Sequence, residues 1–158
     1  MNIAYFGTPD IAVWVLEELH AHGITPDLVV TAPDRPAGRK LVLTPPAVKV
    51  WAQEHAVPLL QPTTLKDRDQ VPELANTDWD LFIVAAYNII LPSWVLTLPR
   101  KGVLNMHPSL LPKLRGPSPI RSAILTDARD AVGVSVMLLD EQIDHGPIVA
   151  QATVELPD

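Results

Sequence analysis

The chain contains no cysteine. This removes disulfide frameworks, thiolate metal sites and zinc fingers from consideration, and it suits a reducing compartment. Long hydrophobic runs are also missing. Glycine and proline interrupt MNIAYFGTPD at once and no basic leader precedes it, so neither a signal segment nor a membrane span is predicted. Positive charge is scarce. Twelve Lys and Arg stand against eighteen Asp and Glu, a formal net charge of −6. The molecule as a whole therefore repels nucleic acid and acidic membranes, and any RNA contact has to come from a local basic patch. There is no internal repeat, no linker and no low-complexity tract, because the seventeen prolines are spread between aliphatic segments and mark element ends and ordered loops. What remains is ample aliphatic material in 158 residues, enough for one core and one soluble, cytoplasmic domain.

The apolar stretch Asn2 to Phe6, the turn Gly7-Thr8-Pro9-Asp10, and Ile11, Ala12, Val15, Leu16 and Leu19 at helical spacing predict strand, tight turn and helix. Thr8 suits the N-cap, Pro9 the first helical position and Asp10 the positive end of the dipole, while Gly23 ends the helical region. Leu28 to Thr31 reads as a second strand and Ala32 to Pro46 as a loop long enough to suggest function. Val48 to Ala56 follows as a helix, Leu59-Leu60 as a brief strand, and Thr64 to Leu74 as a polar, partly helical stretch. The run from Leu81 to Ala86 is apolar on both faces, as a central strand of a parallel sheet must be. Pro92 to Leu98 predicts a short helix, Gly102 to Met106 a buried strand, and Ile120 to Leu125 a helix. Gly133 to Leu139 and Ile148 to Leu156 predict a final antiparallel pair. Alternating strands and helices with short links argue for a doubly wound, mostly parallel α/β sheet, with its site at the carboxyl ends of strands.

Gly7-Thr8-Pro9 matches neither the dinucleotide fingerprint nor the Walker pattern and reads as a strand-to-helix turn. Asn105 and His107 lie two residues apart at a strand end and so share a face, and Asp144 follows in a turn before Gly146-Pro147. Alone, His107 would read as a histidine satisfying local hydrogen bonds, and Asp144 as a turn former. Together an amide, an imidazole and a carboxylate make a polarising and proton-handling set. The other histidines, His20, His22, His55 and His145, lack metal-site spacing, so no metal is expected.

NMHPSLLP from Asn105 to Pro112, KLRGPSPI from Lys113 to Ile120 and then Asp144 resemble the 10-formyltetrahydrofolate-dependent formyltransferases. Phosphoribosylglycinamide and amino-sugar members share Asn, His and Asp, so those three imply only the reaction class. PDRPAGRK from Pro33 to Lys40 with the Pro-Pro and Val-Lys that follow, FGTPD near the start, and AAYNIILP from Ala85 to Pro92 resemble the methionyl-tRNA formyltransferase branch.

That resemblance implies a Rossmann-like formyltransferase fold and Asn105, His107 and Asp144 as catalytic groups. 10-Formyltetrahydrofolate would be the co-substrate, with folate contacts at Ser109, Leu110, Leu111, Pro112, Tyr87, Ile89, Leu91 and Asp140. Methionyl-initiator tRNA would be the acceptor, its single-stranded end met by Arg35, Arg39 and Lys40, with Lys113 and Arg115 on the other side of the site. Without the resemblance, Arg35 to Lys40 would read as a solvated basic loop. Leu111-Pro112 is a candidate cis bond.

Asn88 stands where the family commonly has glycine, Pro117-Ser118 replace the usual small pair, and Gln142 and His145 flank the aspartate; none of these removes a catalytic group. The family continues with a further helix and strand and a C-terminal barrel-like domain that helps hold tRNA, so residues 1–158 correspond to its catalytic domain, cut short or minimal. The alternatives are a formyltransferase for amino-sugars or other small amines, and a truncated, inactive domain that binds folate or a protein.

Overall fold

The computed structural model describes residues 1–39 and 41–155. Their contacts gather into two compact units, Met1–Gly102 and Val103 onward.

In the first unit the chain runs β1 (Ile3–Gly7), α1 (Asp10–Ala21), β2 (Leu28–Val30), β3 (Arg35–Ala37), β4 (Val42–Thr44), α2 (Ala47–Glu54) and β5 (Leu59–Leu60). A 3-10 turn at Arg68–Gln70, α3 (Pro72–Ala75), β6 (Leu81–Ala85) and α4 (Ser93–Leu96) complete it. β1 pairs in parallel with β2 and β6, and β2 with β5. All five residues of β1 are buried, which is why IAYFG and LFIVA are apolar without alternation. Phe82 packs against Phe6 and Trp79 with ring centroids 5.1 and 5.7 Å apart. From β1 the chain steps outward to β2 and β5, then returns to lay β6 on the other side of β1. Gly7-Thr8 and Ala86-Tyr87 leave the sheet at the carboxyl ends of β1 and β6, beside that reversal of order, where sheets of this kind bind ligands. Gly7 has to be glycine, since a Cβ there would lie 2.7 Å from the Cβ of Ala12 and 3.0 Å from the carbonyl of Ala85.

Two local expectations are corrected. α1 is capped by Pro9 and not by Thr8, with no side-chain cap. Its first turn closes on the Pro9 carbonyl, which accepts from Ala12 N at 2.9 Å, while the Thr8 carbonyl faces Val48 N at 3.5 Å, where α2 begins. The Thr8 hydroxyl is left buried without a partner among the described residues. The expected loop from Ala32 to Pro46 contains an antiparallel hairpin, β3 to β4, with Arg35 opposite Thr44 and Ala37 opposite Val42. Gly38, at φ +69°, lies in the connection, and every residue of both strands is exposed. An isolated two-stranded hairpin gives no buried face to read, so its apolar residues carry no periodic signal.

The second unit comprises β7 (Val103–His107), α5 (Pro119–Thr126), a 3-10 turn (Arg129–Ala131), β8 (Gly133–Leu138) and β9 (Ile148–Thr153). β8 runs antiparallel to both β7 and β9, so the antiparallel character expected of the last pair extends to three strands. β9 ends at Thr153; Leu156, the expected end, lies outside the described residues. Along β8 burial alternates, with Gly133, Ser135 and Met137 turned inward. No helix among the described residues is long and apolar enough to cross a membrane.

Candidate active site

β7 delivers its last residue, His107, at 5% exposure, with Asn105 two positions back on the same face and half-buried. Both ring nitrogens of His107 face acceptors. Nε2 lies 3.1 Å from the carbonyl of Leu114, and Nδ1 lies 3.8 Å from Oδ1 of Asp144. A carbonyl only accepts, so Nε2 carries a proton, and a proton reaching Nδ1 would face a carboxylate at ion-pair distance.

Asp144 is 9% exposed and is aimed by its turn: its φ of +50° is in the left-handed region, which Asp tolerates better than most residues, and its Oδ2 accepts from Gly116 N at 2.8 Å. Gly116, at φ +108°, takes a conformation that glycine alone adopts freely, so its amide can point at the carboxylate. The side-chain amide of Asn105 makes no hydrogen bond to any described residue, which leaves its two N–H groups available.

The segment after β7 is held from behind. Ser135 Oγ donates to the Ser109 carbonyl at 2.6 Å and accepts from Leu111 N at 3.0 Å and Gln151 Nε2 at 2.8 Å. Gln151 also donates to the Leu111 carbonyl at 2.9 Å, and Ser109 Oγ donates to the Lys113 carbonyl at 2.7 Å. The Leu111–Pro112 bond is cis. Leu110 and Pro112 lie in the same segment.

Other sequence-predicted residues are distributed over both units. In the second, the Asp140 carboxylate accepts from Gln142 N at 2.8 Å and lies 3.2 Å from His145 Nδ1; these bonds, Gln142 first, hold its carboxyl below the usual range. Arg115 is exposed, whereas Lys113 is tied to the Asp130 carboxylate, which it holds below the usual range. In the first unit, Tyr87 packs edge-on to Phe6 at 5.6 Å, and its hydroxyl is buried without a partner among the described residues. That burial pushes its pKa up. Ile89 and Leu91 are half-buried on the chain leaving β6. Arg35 and Arg39 are exposed on the hairpin, and Lys40 lies outside the described residues. Among the described residues no group of three or more His, Asp or Glu is arranged to hold a metal ion.

A formyl transferase domain model matches residues 1–157 of the chain. The chain belongs to the formyl transferase family. It is 46% identical, over all of its 158 residues, to the methionyl-tRNA formyltransferase of Halalkalibacterium halodurans, and covers 50% of that protein. To the methionyl-tRNA formyltransferase of Chloroflexus aggregans it is 51% identical over 157 residues, 99% of this chain and 50% of the relative. The chain thus spans about half the length of the curated relatives it matches. Among solved structures, phosphoribosylglycinamide formyltransferase from Bacillus halodurans superposes with a TM-score of 0.73 at 22% identity, covering 100% of this chain and 81% of that one. A sugar N-formyltransferase from a Shewanella species gives 0.66 at 22% identity, with coverage of 99% and 58%. The fold is therefore the Rossmann-like formyltransferase fold, in agreement with the α/β class read from the sequence.

In this chain, sequence reasoning singled out three polar groups and missed what aims them. Ser135 was detectable in principle: alternation along GVSVML turns it inward, and a buried hydroxyl needs partners. Gln151 has no such signal, because every residue of β9 is exposed. The Leu114 carbonyl and Gly116 amide are backbone groups, which no side-chain pattern reports. Replacing Ser135 with alanine should leave the Leu111 amide and Ser109 carbonyl short of partners. A loss of about 2 kcal/mol in unfolding free energy is expected in urea titrations.

Proposed function

We propose that this chain is the catalytic domain of a methionyl-tRNA formyltransferase, which transfers the formyl group of 10-formyltetrahydrofolate to the amino group of methionyl-initiator tRNA in the reducing cytoplasm. The observation that carries the reaction class is the buried pair of His107, at the end of β7, and Asp144, in the β8–β9 turn, with the unengaged Asn105 amide two residues before His107. The acceptor is supported by the names of relatives at 46% and 51% identity.

Attack of the amine on the formyl carbon forms a new C–N bond and turns the carbonyl oxygen into an oxyanion. Asn105 donates to that oxygen, and one such donor contributes about 3 kcal/mol of transition-state stabilisation. His107, its Nε2 donating to the Leu114 carbonyl and its Nδ1 facing Asp144, forms with that carboxylate the proton-handling pair. The proton shed by the amine passes to this pair, directly or through water, and the bond to N10 breaks as that nitrogen is protonated. On the family resemblance, folate contacts are assigned to Ser109, Leu110, Leu111 and Pro112 with the backbone of the Asp140 turn, and also to Tyr87, Ile89 and Leu91. Arg35, Arg39, Lys40 and Arg115 take tRNA phosphates.

The test is turnover with 10-formyltetrahydrofolate and charged initiator tRNA beside nucleotide amino-sugars. Formylation of the tRNA and not of the sugars is expected; the reverse preference, or folate binding with no transfer, overturns the reading. The double substitution Arg35→Gln/Arg39→Gln is expected to raise the KM for charged tRNA about tenfold at low salt, with kcat nearly unchanged. Equal losses in kcat would remove the arginines from phosphate binding.

A further inference from the structure

The hairpin that carries Arg35 and Arg39 stands apart from the parallel sheet of the first unit. Its strands are exposed at every position and pair only with one another, so packing along their length does not orient them. Orientation has to be set at the base. On the exit side Pro45 and Pro46 restrict the backbone before α2. On the entry side the Asp34 carboxylate precedes β3 directly, and Lys49 Nζ, in the first turn of α2, donates to both of its oxygens at 2.8 Å. Gln61, just past β5, donates to Asp34 Oδ1 at 2.8 Å and to the Ala32 carbonyl at 3.0 Å. One carboxylate therefore ties together the two ends of the hairpin and the outer strand of the parallel sheet.

Three features separate this cluster from an ordinary surface ion pair. The side chains of Lys49 and Asp34 are only 20% and 26% exposed, whereas in the other pairs formed by Lys or Arg among the described residues at least one partner is 67% exposed or more. The contact is made twice by the ammonium and reinforced by an amide, which fixes direction as well as distance. The third feature concerns charge. With Lys49 and Gln61 on its carboxylate, Asp34 is not paired to the neighbouring Arg35, whose guanidinium stays unengaged among the described residues. An Asp34 deprived of Lys49 would be free to pair with Arg35 and take its charge from an incoming phosphate.

We infer that Asp34, Lys49 and Gln61 form a positioning clamp that orders the β3–β4 hairpin and keeps Arg35 and Arg39 turned to the phosphates of the acceptor. This rests on the proposed use of those arginines by tRNA. The clamp touches no reacting atom; its part is to reduce the conformations the hairpin must give up when substrate binds, which appears in KM and not in kcat.

Tryptic cleavage after Arg39, followed without any substrate, reads hairpin order directly. Asp34→Asn and Lys49→Gln are each expected to speed that cut about tenfold, since cleavage of a locally opened segment follows its open population. Lys49→Arg, which keeps a donor for the carboxylate, is expected to retain the slow rate. In the transfer assay Lys49→Gln is expected to raise the KM for charged tRNA about tenfold with kcat within about twofold. Circular-dichroism melting of each variant separates local opening from global unfolding. Cleavage at the wild-type rate in both Asp34→Asn and Lys49→Gln overturns the clamp. Faster cleavage with an unchanged KM keeps the ordering role and instead overturns the assignment of the hairpin to tRNA.

Discussion

Asn105→Ala is expected to lower kcat for formyl transfer by about 10²- to 10³-fold, the usual cost of removing one oxyanion donor. The reason lies in what its amide does not do. It makes no hydrogen bond to any described residue, so truncation breaks nothing in the resting protein and leaves no buried partner stranded. Folate affinity, measured by fluorescence quenching or calorimetry, should stay close to wild type, and the urea midpoint should barely move. A loss confined to kcat identifies an interaction made in the transition state. A comparable loss of folate binding would make Asn105 a ligand contact and move the oxyanion donor elsewhere.

Asp144→Asn is expected to be as damaging, by a different route. The amide oxygen of asparagine can still accept from Gly116 N, now at 2.8 Å from Oδ2, so the turn is retained. What disappears is the charge 3.8 Å from His107 Nδ1. Without it the proton shed by the amine loses its acceptor, and loss of general acid–base function of this kind costs about 10²- to 10⁴-fold. The urea midpoint is expected to stay close to wild type, which separates loss of the chemistry from loss of the turn. Full activity in the variant would return Asp144 to the role of a turn residue.

The fraction of this molecule legible in its sequence follows from where side chains are read by burial. β1, β2 and β6 have both faces covered, so their apolar runs stand out, and a parallel sheet follows from the alternation of elements. Asn105 and His107 were legible because two-residue spacing on a strand is unambiguous. Asp144 on its own reads as a turn former and was legible as a partner only through the family resemblance, since nothing in the spacing from residue 107 to residue 144 says that the loop folds back onto β7. Three things were invisible for physical reasons. The cap of α1 shifted because the Thr8 carbonyl lies against α2, a tertiary contact that local propensity does not record. The β3–β4 hairpin has no buried face and hence no periodic signature. The supports of His107 and Asp144 are backbone atoms of Leu114 and Gly116, whose orientation depends on positive φ values at both residues, +55° and +108°.

The isolation of that hairpin also bears on how acceptors change in descent. It leaves the sheet after β2 and returns at α2, pairing along its strands only with itself, while Asn105, His107, Asp144 and their supports belong to the second unit. Insertions or deletions in such an appendage add little closure entropy. On the proposed reading, the groups assigned to the chemistry and the arm assigned to the acceptor are therefore separable under mutation. Lengthening or recharging the arm would change which amine is accepted without altering the residues assigned to formyl transfer.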